Sequence, residues 1–118
     1  MTDTFEELYK VILSRKASSE EGSYTGYLFR EGLDKILKKC GEESAEVIIA
    51  AKTLQGSTDE EAGKARYALK NEVCDLLYHL MVLLVDRGIT LGEIGEILEE
   101  RSGKTGNLKA KHETDRNR

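Results

Sequence analysis

The sequence has no proline, and only two of its 118 residues are cysteine. Because proline kinks or ends helices, its absence favours long, unbroken ones. The cysteines, Cys40 and Cys74, form no Cys-x-x-Cys pair and no cluster with histidine of the kind that binds zinc. Each lies in an apolar helical pattern, so we expect two small buried thiols in a reducing compartment.

Long apolar runs are also absent, since nothing approaches the roughly 20 residues needed to span a membrane. The first ten residues are acidic and amphipathic, unlike a signal peptide, so we expect a cytoplasmic protein. The net charge of −4 argues against a general attraction to nucleic acid. An anionic substrate would therefore need a metal ion or a local basic cluster. The length predicts a single domain, 1–118, with a core small enough for oligomerisation to be a natural supplement.

Apolar residues recur at helical spacing in four segments. Three of these segments open with a hydroxyl residue followed three positions later by a carboxylate, the pattern of a capping box. The boxes begin at Thr4, at Ser57 or Thr58, and at Thr90. Gly32 marks a position where the second segment can break. We predict helices over 4–16, 28–55, 58–87 and 90–101.

The two long helices carry apolar lines suited to close helix–helix packing. In the first, residues seven apart form two lines: Leu33, Cys40, Val47 and Leu54, and beside them Leu37, Ser44 and Ala51. In the second, one stripe contains Leu69, Val73, Leu76, Leu80 and Leu84. The short last helix has an inner face of Leu91, Ile94, Ile97 and Leu98. We predict an all-α fold, a bundle of about four helices with two long packed helices, a loop over 17–26 and a mobile tail over 102–118.

Two acidic groups border these lines. They are Glu42, Glu43 and Glu46 on the first long helix, and Glu72 and Asp75 on the second. Residues three or four apart share a helix face, so each group forms a stripe beside the apolar residues. If the two long helices pack together, the stripes meet at one rim, and four or five carboxylates crowd into a small volume.

Such crowding is costly, because like charges repel and partial burial adds a desolvation cost. Either protons and lysine side chains neutralise some of the carboxylates, or hard divalent cations bind between them. Oxygen ligands favour Mg²⁺ or Mn²⁺ over zinc, and Mg²⁺ held by a few carboxylates keeps positions open for water and phosphate oxygens. Spacing alone does not decide between a metal site and a solvated acidic face.

Several short motifs occur in a particular order along the chain. They are Ser23-Tyr24-Thr25-x-x-Leu28, Gly32-x-x-Lys35-Ile36-x-x-Lys39, Gly41-Glu42-Glu43-x-x-Glu46, Asn71-Glu72-x-x-Asp75-Leu76-Leu77-Tyr78-His79, Val82-Leu83-Leu84 and Leu98-x-x-Arg101. Over roughly residues 5–101 this series resembles the phosphoribosyl-ATP pyrophosphohydrolases. It is also similar to the wider group of all-α nucleotide pyrophosphohydrolases, including MazG-like enzymes and dimeric dUTPases, which share EExxE followed by ExxD.

The resemblance implies an enzyme, in its stand-alone form, that hydrolyses phosphoribosyl-ATP to phosphoribosyl-AMP and pyrophosphate in histidine biosynthesis. It implies that Mg²⁺, or Mn²⁺, is bound by Glu43, Glu46, Glu72 and Asp75. It also implies that Glu42 is a further ligand or a base that orients water, which makes Glu42 and Glu43 the catalytic candidates. A homodimer or a higher homo-oligomer with shared sites is expected as well.

Four residues are candidate contacts for the substrate: Lys35, Lys39, Tyr24 and Thr25. Lys39 shares the carboxylate stripe, so it can hold a phosphate or pair with Glu43 four residues later. Tyr24 can equally be a packing residue. A lone helical histidine is more often a hydrogen-bonded partner than a catalyst, which is what we expect of the histidine at position 79.

Two other functions fit parts of the pattern. Another nucleotide pyrophosphohydrolase, MazG-like or dUTPase-like, would keep the metal site and change the base pocket. A non-catalytic helical dimerisation module would use the apolar lines and leave the doubled acidic stripe unexplained. A di-iron carboxylate bundle requires Glu-x-x-His pairs, and a leucine, Leu76, stands three residues before His79.

Overall fold

The computed structural model describes residues 2–18 and 22–107 and contains five α-helices. These are α1 (Thr2–Ala17), α2 (Tyr24–Glu31), α3 (Leu33–Gln55), α4 (Asp59–Asp86) and α5 (Leu91–Thr105). The described part of the chain has no strand, which confirms the predicted all-α class. The chain divides into two compact units, Met1–Gly88 with α1 to α4 and Ile89–Arg118 with α5.

Several helix boundaries differ from the predicted ones. The first helix begins at Thr2, so Thr4 lies inside it rather than at its N-cap. The predicted loop over 17–26 is too long, because Ser23 caps a short helix by accepting a hydrogen bond from the backbone N–H of Gly26. The last helix continues to Thr105. The predicted mobile tail therefore starts within α5, and its residues 108–118 lie outside the described part of the chain.

Gly32 separates α2 from α3, where a break was predicted. Its backbone has φ 95° and ψ −175°, a conformation that glycine adopts without the steric cost borne by other residues. Its N–H donates to the carbonyl oxygen of Leu28 at 3.0 Å, and its own carbonyl oxygen accepts from the N–H of Ile36 at 3.2 Å. One residue therefore ends one helix and begins the next.

The core of the first unit lies where α1 and α2 pack against α3 and α4. Its buried apolar side chains, among the described residues, are Ile12, Leu28, Ile36, Met81, Val82 and Val85. Half of them come from the last two turns of α4, a helix that packs against α1 as well as α3. The side chain of Lys16 reaches across from α1 and donates to the carbonyl oxygen of Val85 at 3.3 Å.

The long helices α3 and α4 form an antiparallel hairpin joined by only three residues. Thr58 begins α4 with a complete capping box, in which its hydroxyl accepts from the N–H of Glu61 and its own N–H donates to the Glu61 carboxylate. The register places Cys40 against His79, because the Cys40 thiol donates to the His79 carbonyl oxygen at 3.6 Å. A residue six positions after Cys40 in α3 therefore lies opposite a residue about six positions before His79 in α4.

The contact line of α3 differs in part from the predicted one. Its first line is confirmed: Leu33, Cys40, Val47 and Leu54 are half-buried. The second line lies one residue earlier than predicted, at Ile36, Glu43 and Ala50, whereas Leu37, Ser44 and Ala51 are exposed. On α4, Val73 and Leu80 of the predicted stripe are also exposed. The packed seam is therefore narrower than the apolar pattern, and one side of the pattern faces outward.

The two cysteines occupy different environments. Cys40 is half-buried, and burial raises the pKa of its thiol. Cys74 is exposed, so the prediction of two buried thiols is wrong for this residue.

The second unit contains α5, which opens with the predicted capping box. The Thr90 hydroxyl accepts from the N–H of Glu93, and the Glu93 carboxylate accepts from the N–H of Thr90 at 2.8 Å. Of its predicted inner face, Ile94, Ile97 and Leu98 are exposed, since the described part of this unit contains a single helix. Across the described residues, no helix combines the length and the low polarity that a membrane span requires.

Replacing Thr58 with alanine is expected to destabilise the protein by about 1 kcal/mol, because the N–H groups of the first turn of α4 lose their hydroxyl acceptor. The free energy of unfolding from urea titrations measures the loss. The matched control is Thr53→Ala, since this exposed hydroxyl lies inside α3 and donates to the carbonyl oxygen four residues earlier. Equal losses in the two variants would contradict the capping role.

Candidate metal and phosphate site

Three carboxylates converge on one edge of the α3–α4 hairpin. Glu43 comes from α3, and Glu72 and Asp75 come from α4. Each offers one oxygen, and these three oxygens lie within 4.8 Å of one another. The convergence follows from the antiparallel register, because Glu43 lies about one turn beyond Cys40 just as Asp75 lies about one turn before His79. We call these three side chains the acidic cluster.

The acidic cluster concentrates negative charge. The pKa of Glu72 is raised above its usual value, first by burial and then by the charges of Asp75, Glu46 and Glu43. Glu46 thus acts on the cluster electrostatically, although it is not one of the three carboxylates within mutual reach. The two predicted acidic groups therefore meet at a common edge through three carboxylates, fewer than the four or five that the sequence pattern predicts.

The donor atoms of the acidic cluster fit a hard divalent cation. All three are carboxylate oxygens, which Mg²⁺ and Mn²⁺ prefer. Two oxygens bound to one Mg²⁺ at about 2.1 Å are separated by at most about 4.2 Å, so a small side-chain movement from the present spacing completes such a site. Three protein ligands leave positions for water and phosphate oxygens. The raised pKa of Glu72 indicates charge that a cation would neutralise.

Lysines of α3 lie beside the cluster. The Lys39 ammonium group is 3.3 Å from a carboxylate oxygen of Glu42 and 3.9 Å from one of Glu43. The hydrogen bond to Glu42 is the main reason that the pKa of Lys39 is raised, so this side chain stays protonated. Glu42 itself is exposed and also lies 4.0 Å from Lys38. The pairing of Lys39 with Glu43 is confirmed, and Glu42 faces lysines instead of joining the acidic cluster.

An aromatic group borders the cluster on the side of α2. The Tyr24 hydroxyl lies 3.0 Å from Nε2 of His79, and the Tyr24 ring stacks on the ring of Tyr78 with centroids 6.3 Å apart. Thr25 and Tyr78 are joined by a hydrogen bond between their hydroxyls. Both Tyr24 and Thr25 belong to the first turn of α2, so their predicted loop position is wrong.

Tyr24 lies close enough to the acidic cluster for its charges to act on it. Burial is the main cause that raises the pKa of the Tyr24 hydroxyl, Lys39 lowers it and Glu43 contributes to raising it. The ring is nevertheless 46% exposed, so a bound molecule can reach it. Lys35 lies farther along this side, with its ammonium group 5.8 Å from the centre of the Tyr27 ring.

His79 is buried and hydrogen-bonded at both ring nitrogens, which confirms its predicted role as a hydrogen-bonded partner. The sequence did not single out Tyr27, whose ring lies 6.2 Å from that of Tyr24. The signal was present in the spacing, since residues three apart share a helix face. The predictions of a loop over 17–26 and of a helix that begins at position 28 hide this signal.

Comparisons with known proteins agree on one family. The family model described as phosphoribosyl-ATP pyrophosphohydrolase matches residues 5–102. The phosphoribosyl-ATP pyrophosphatase of Lactiplantibacillus plantarum is 51% identical over 108 residues, covering 92% of each chain. That of Limosilactobacillus fermentum is 50% identical over the same length and coverage. That of Leuconostoc mesenteroides is 52% identical over 101 residues, covering 86% of this chain and 79% of the relative.

A helical hairpin with carboxylates converging from both helices, together with these matches, defines an all-α hydrolase of the pyrophosphohydrolase class. Within that class, the chain belongs to the phosphoribosyl-ATP pyrophosphohydrolase family. The match spans the motifs of α2, α3 and α4, so it includes every residue of the acidic cluster and its aromatic border.

Replacing Glu72 with glutamine is expected to stabilise the metal-free protein at pH 7. Because folding raises the pKa of this carboxyl, its ionised form opposes folding, and the neutral amide removes that opposition. The gain should shrink as the pH falls through the raised pKa and vanish below the ordinary value of 4.5, where the carboxyl is protonated in both states. Thermal midpoints across this pH range, measured in chelator, test the sign.

The control is Glu96→Gln, the same change at an exposed position of α5 outside the acidic cluster. It should leave the pH dependence of the midpoint unaltered. A loss of stability in the Glu72 variant at pH 7 would show that repulsion at the cluster is already neutralised.

Proposed function

We propose that this protein hydrolyses phosphoribosyl-ATP to phosphoribosyl-AMP and pyrophosphate with Mg²⁺, an early step of histidine biosynthesis. The observation that carries the proposal is the meeting of Glu43, Glu72 and Asp75 in a chain of this family. The matched relatives are named for cleavage of phosphoribosyl-ATP. A carboxylate set of this kind suits a substrate whose reacting part is a polyphosphate.

The acidic cluster would hold the metal, with Glu46 adding negative charge from the same face of α3. A bound Mg²⁺ supplies charge neutralisation for the phosphate oxygens and activation of the attacking water; Mn²⁺ offers the same chemistry. Glu42 stays our candidate for a further ligand or for the base that orients this water, from its exposed position one residue before Glu43.

Lys39 is the proposed phosphate contact. Its side chain stays protonated and lies within 4 Å of both Glu42 and Glu43, so a phosphate oxygen held at the acidic cluster falls within its reach. Binding would exchange these carboxylate partners for the phosphate. Tyr24 and Thr25 would border the sugar and the base, and Lys35 would lie at the outer edge of the same side.

Other activities explain less of the structure. A MazG-like or dUTPase-like enzyme would use the same carboxylates, and the family match over residues 5–102 favours phosphoribosyl-ATP instead. A purely structural helical module would gain nothing from three carboxylates placed against one another, because their repulsion opposes folding. A cytoplasmic location stays a prediction from the sequence.

Pyrophosphate release from phosphoribosyl-ATP should require Mg²⁺ and should fall at least about 100-fold in Glu43→Gln and in Asp75→Asn. Each change removes one charged metal ligand. A metal ion stabilises the negative charge of the transition state of phosphoryl transfer by several kcal/mol. A coupled pyrophosphate assay measures the rate. Ordinary nucleoside triphosphates and dUTP, tested in parallel, should be poor substrates.

Glu96→Gln serves again as the matched control and should keep full activity. Binding of Mg²⁺ to the wild-type protein, followed by calorimetry, should weaken in both cluster variants. Undiminished pyrophosphate release in both of them would remove the acidic cluster from the mechanism.

We also propose that two copies of the chain form a homodimer through an apolar face of the α3–α4 hairpin. On α3 this face contains Leu37, Ser44, Ile48 and Ala51, and on α4 it contains Leu69, Val73, Leu80 and Leu84. Around each helix axis, in the direction of increasing residue number, the apolar set lies about 60–120° past the line of contact with the other helix. Because the two helices are antiparallel, equal angles past the contact line place both sets on the same side of the hairpin.

The apolar face lies opposite the acidic cluster, because on both helices the carboxylates are displaced around the helix axis in the opposite direction from the apolar residues. Leu37 is 46% exposed and Ile48 is 64% exposed, while Val73 and Leu80 continue the surface across α4. A contiguous apolar surface of two helices is a typical interaction site. Two copies related by a twofold axis would bury it as a four-helix arrangement, which agrees with the heptad spacing of Leu37, Ser44 and Ala51.

Ile48→Glu should shift the protein from dimer to monomer, because two glutamates per dimer would be buried without partners. Ile49→Glu is the control: this neighbour is 59% exposed but lies about 100° around α3, away from the apolar face. Sedimentation equilibrium distinguishes the two species. A dimer that survives the first change and dissociates with the second would assign the interface to a different face of α3.

A further inference from the structure

His79 has more hydrogen-bond partners than a packing residue needs. Its Nδ1 lies 2.7 Å from the carbonyl oxygen of Asp75, one turn earlier in α4. Its Nε2 lies 3.0 Å from the hydroxyl of Tyr24 in α2, and its own carbonyl oxygen accepts from the thiol of Cys40 in α3. One buried residue therefore connects three helices next to the acidic cluster.

These partners determine which nitrogen of His79 carries the proton. A carbonyl oxygen can only accept, so the contact at 2.7 Å requires a proton on Nδ1. A bare Nδ1 would set two lone pairs against each other at that distance. In the neutral imidazole the other nitrogen then has no proton and is an acceptor. While His79 is neutral, the Tyr24 hydroxyl therefore donates its single proton to Nε2 of His79.

Tyr24 is thereby restricted to one role toward a bound molecule, that of a hydrogen-bond acceptor. With its proton committed to His79, the hydroxyl has only lone pairs left to offer. Such a group accepts a hydrogen bond from a sugar hydroxyl or an exocyclic amine, and it has no proton for a phosphate oxygen. The rings of Tyr78 and Tyr27, whose centroids lie 6.3 Å and 6.2 Å from that of Tyr24, restrict its movement.

We infer that His79 is a positioning residue that holds Tyr24 as a hydrogen-bond acceptor for the sugar or base of the substrate. The inference rests on the proposed function in one respect, that Tyr24 borders the bound nucleotide. The two sides of the site recognise different parts of the substrate. Lys39 and the metal ligands meet the polyphosphate, while the Tyr24 hydroxyl selects a group that carries a proton. Burial keeps His79 from exchanging these partners for water.

The tautomer can be observed without substrate. The chain has only two histidines, His79 and His112, so a ¹⁵N-labelled His112→Gln protein gives the ring signals of His79 alone. At pH 8 we expect a protonated Nδ1 and an unprotonated Nε2. In a Tyr24→Phe background Nδ1 should stay protonated, and the Nε2 resonance should shift because its donor is lost. A proton on Nε2, on both nitrogens, or an unshifted Nε2 in the Phe variant would overturn the inference.

Kinetics test the consequence for the substrate. Tyr24→Phe should raise KM for phosphoribosyl-ATP about tenfold, the effect of one hydrogen bond, with a smaller change in kcat. Competitive inhibition by inorganic pyrophosphate should be unaltered, since Tyr24 does not donate to phosphate. An equal weakening of pyrophosphate inhibition would assign Tyr24 to the phosphate side and contradict the inference.

Variants of His79 separate positioning from simple packing. His79→Gln keeps an oxygen that can accept from Tyr24, whereas His79→Leu fills the space without an acceptor. KM should rise less in the Gln variant than in the Leu variant, and His79→Leu should add nothing to KM once Tyr24 is phenylalanine. Equal increases in KM in the two His79 variants, together with a His79→Leu effect that adds to that of Tyr24→Phe, would contradict the inference. If the wild-type protein releases no pyrophosphate, the proposed function fails, and the ring tautomer still decides how His79 holds Tyr24.

Discussion

The antiparallel contact between α3 and α4 is the interaction on which the rest of the structure depends. A three-residue turn and the capping box at Thr58 set the register, and the register brings Cys40 to His79 and Glu43 to Asp75. The acidic cluster, the lysine beside it and the aromatic border all follow from this alignment. A shift by one residue would rotate the carboxylates of one helix by about 100° and separate them.

The same contact holds like charges together against their repulsion. Burial and three neighbouring carboxylates disfavour the ionised form of Glu72, so part of the folding free energy is spent at this edge of the hairpin. Local destabilisation of this kind is common where a protein holds groups ready for a ligand. In the proposed function the ligand that relieves it is a hard cation, and binding of such a cation would add to the stability of the folded state.

Local patterns in the sequence predicted much of this arrangement. The capping boxes at Thr58 and Thr90, the break at Gly32 and the stripe of Glu72 and Asp75 depend on neighbours within one turn, so spacing was sufficient to find them. The pairing of Lys39 with Glu43 was found in the same way.

Features that depend on distant contacts could not be predicted from spacing. The contact line through Ile36 and Glu43 lies one residue from the apolar line at Leu37, because α3 packs an acidic residue toward α4 and leaves leucine outside. Cys74 is exposed for a similar reason, since the burial of a residue on α4 depends on which helices pack against it. The hydrogen bond between Tyr24 and His79 joins residues 55 positions apart. Gly32 is the single residue that links α2 to α3, so the position of Tyr24 around its helix axis is fixed relative to that of Lys39. Any insertion or deletion at this joint would turn the tyrosine away from its histidine while leaving the carboxylates in place, which makes the spacing between the two motifs itself part of the site.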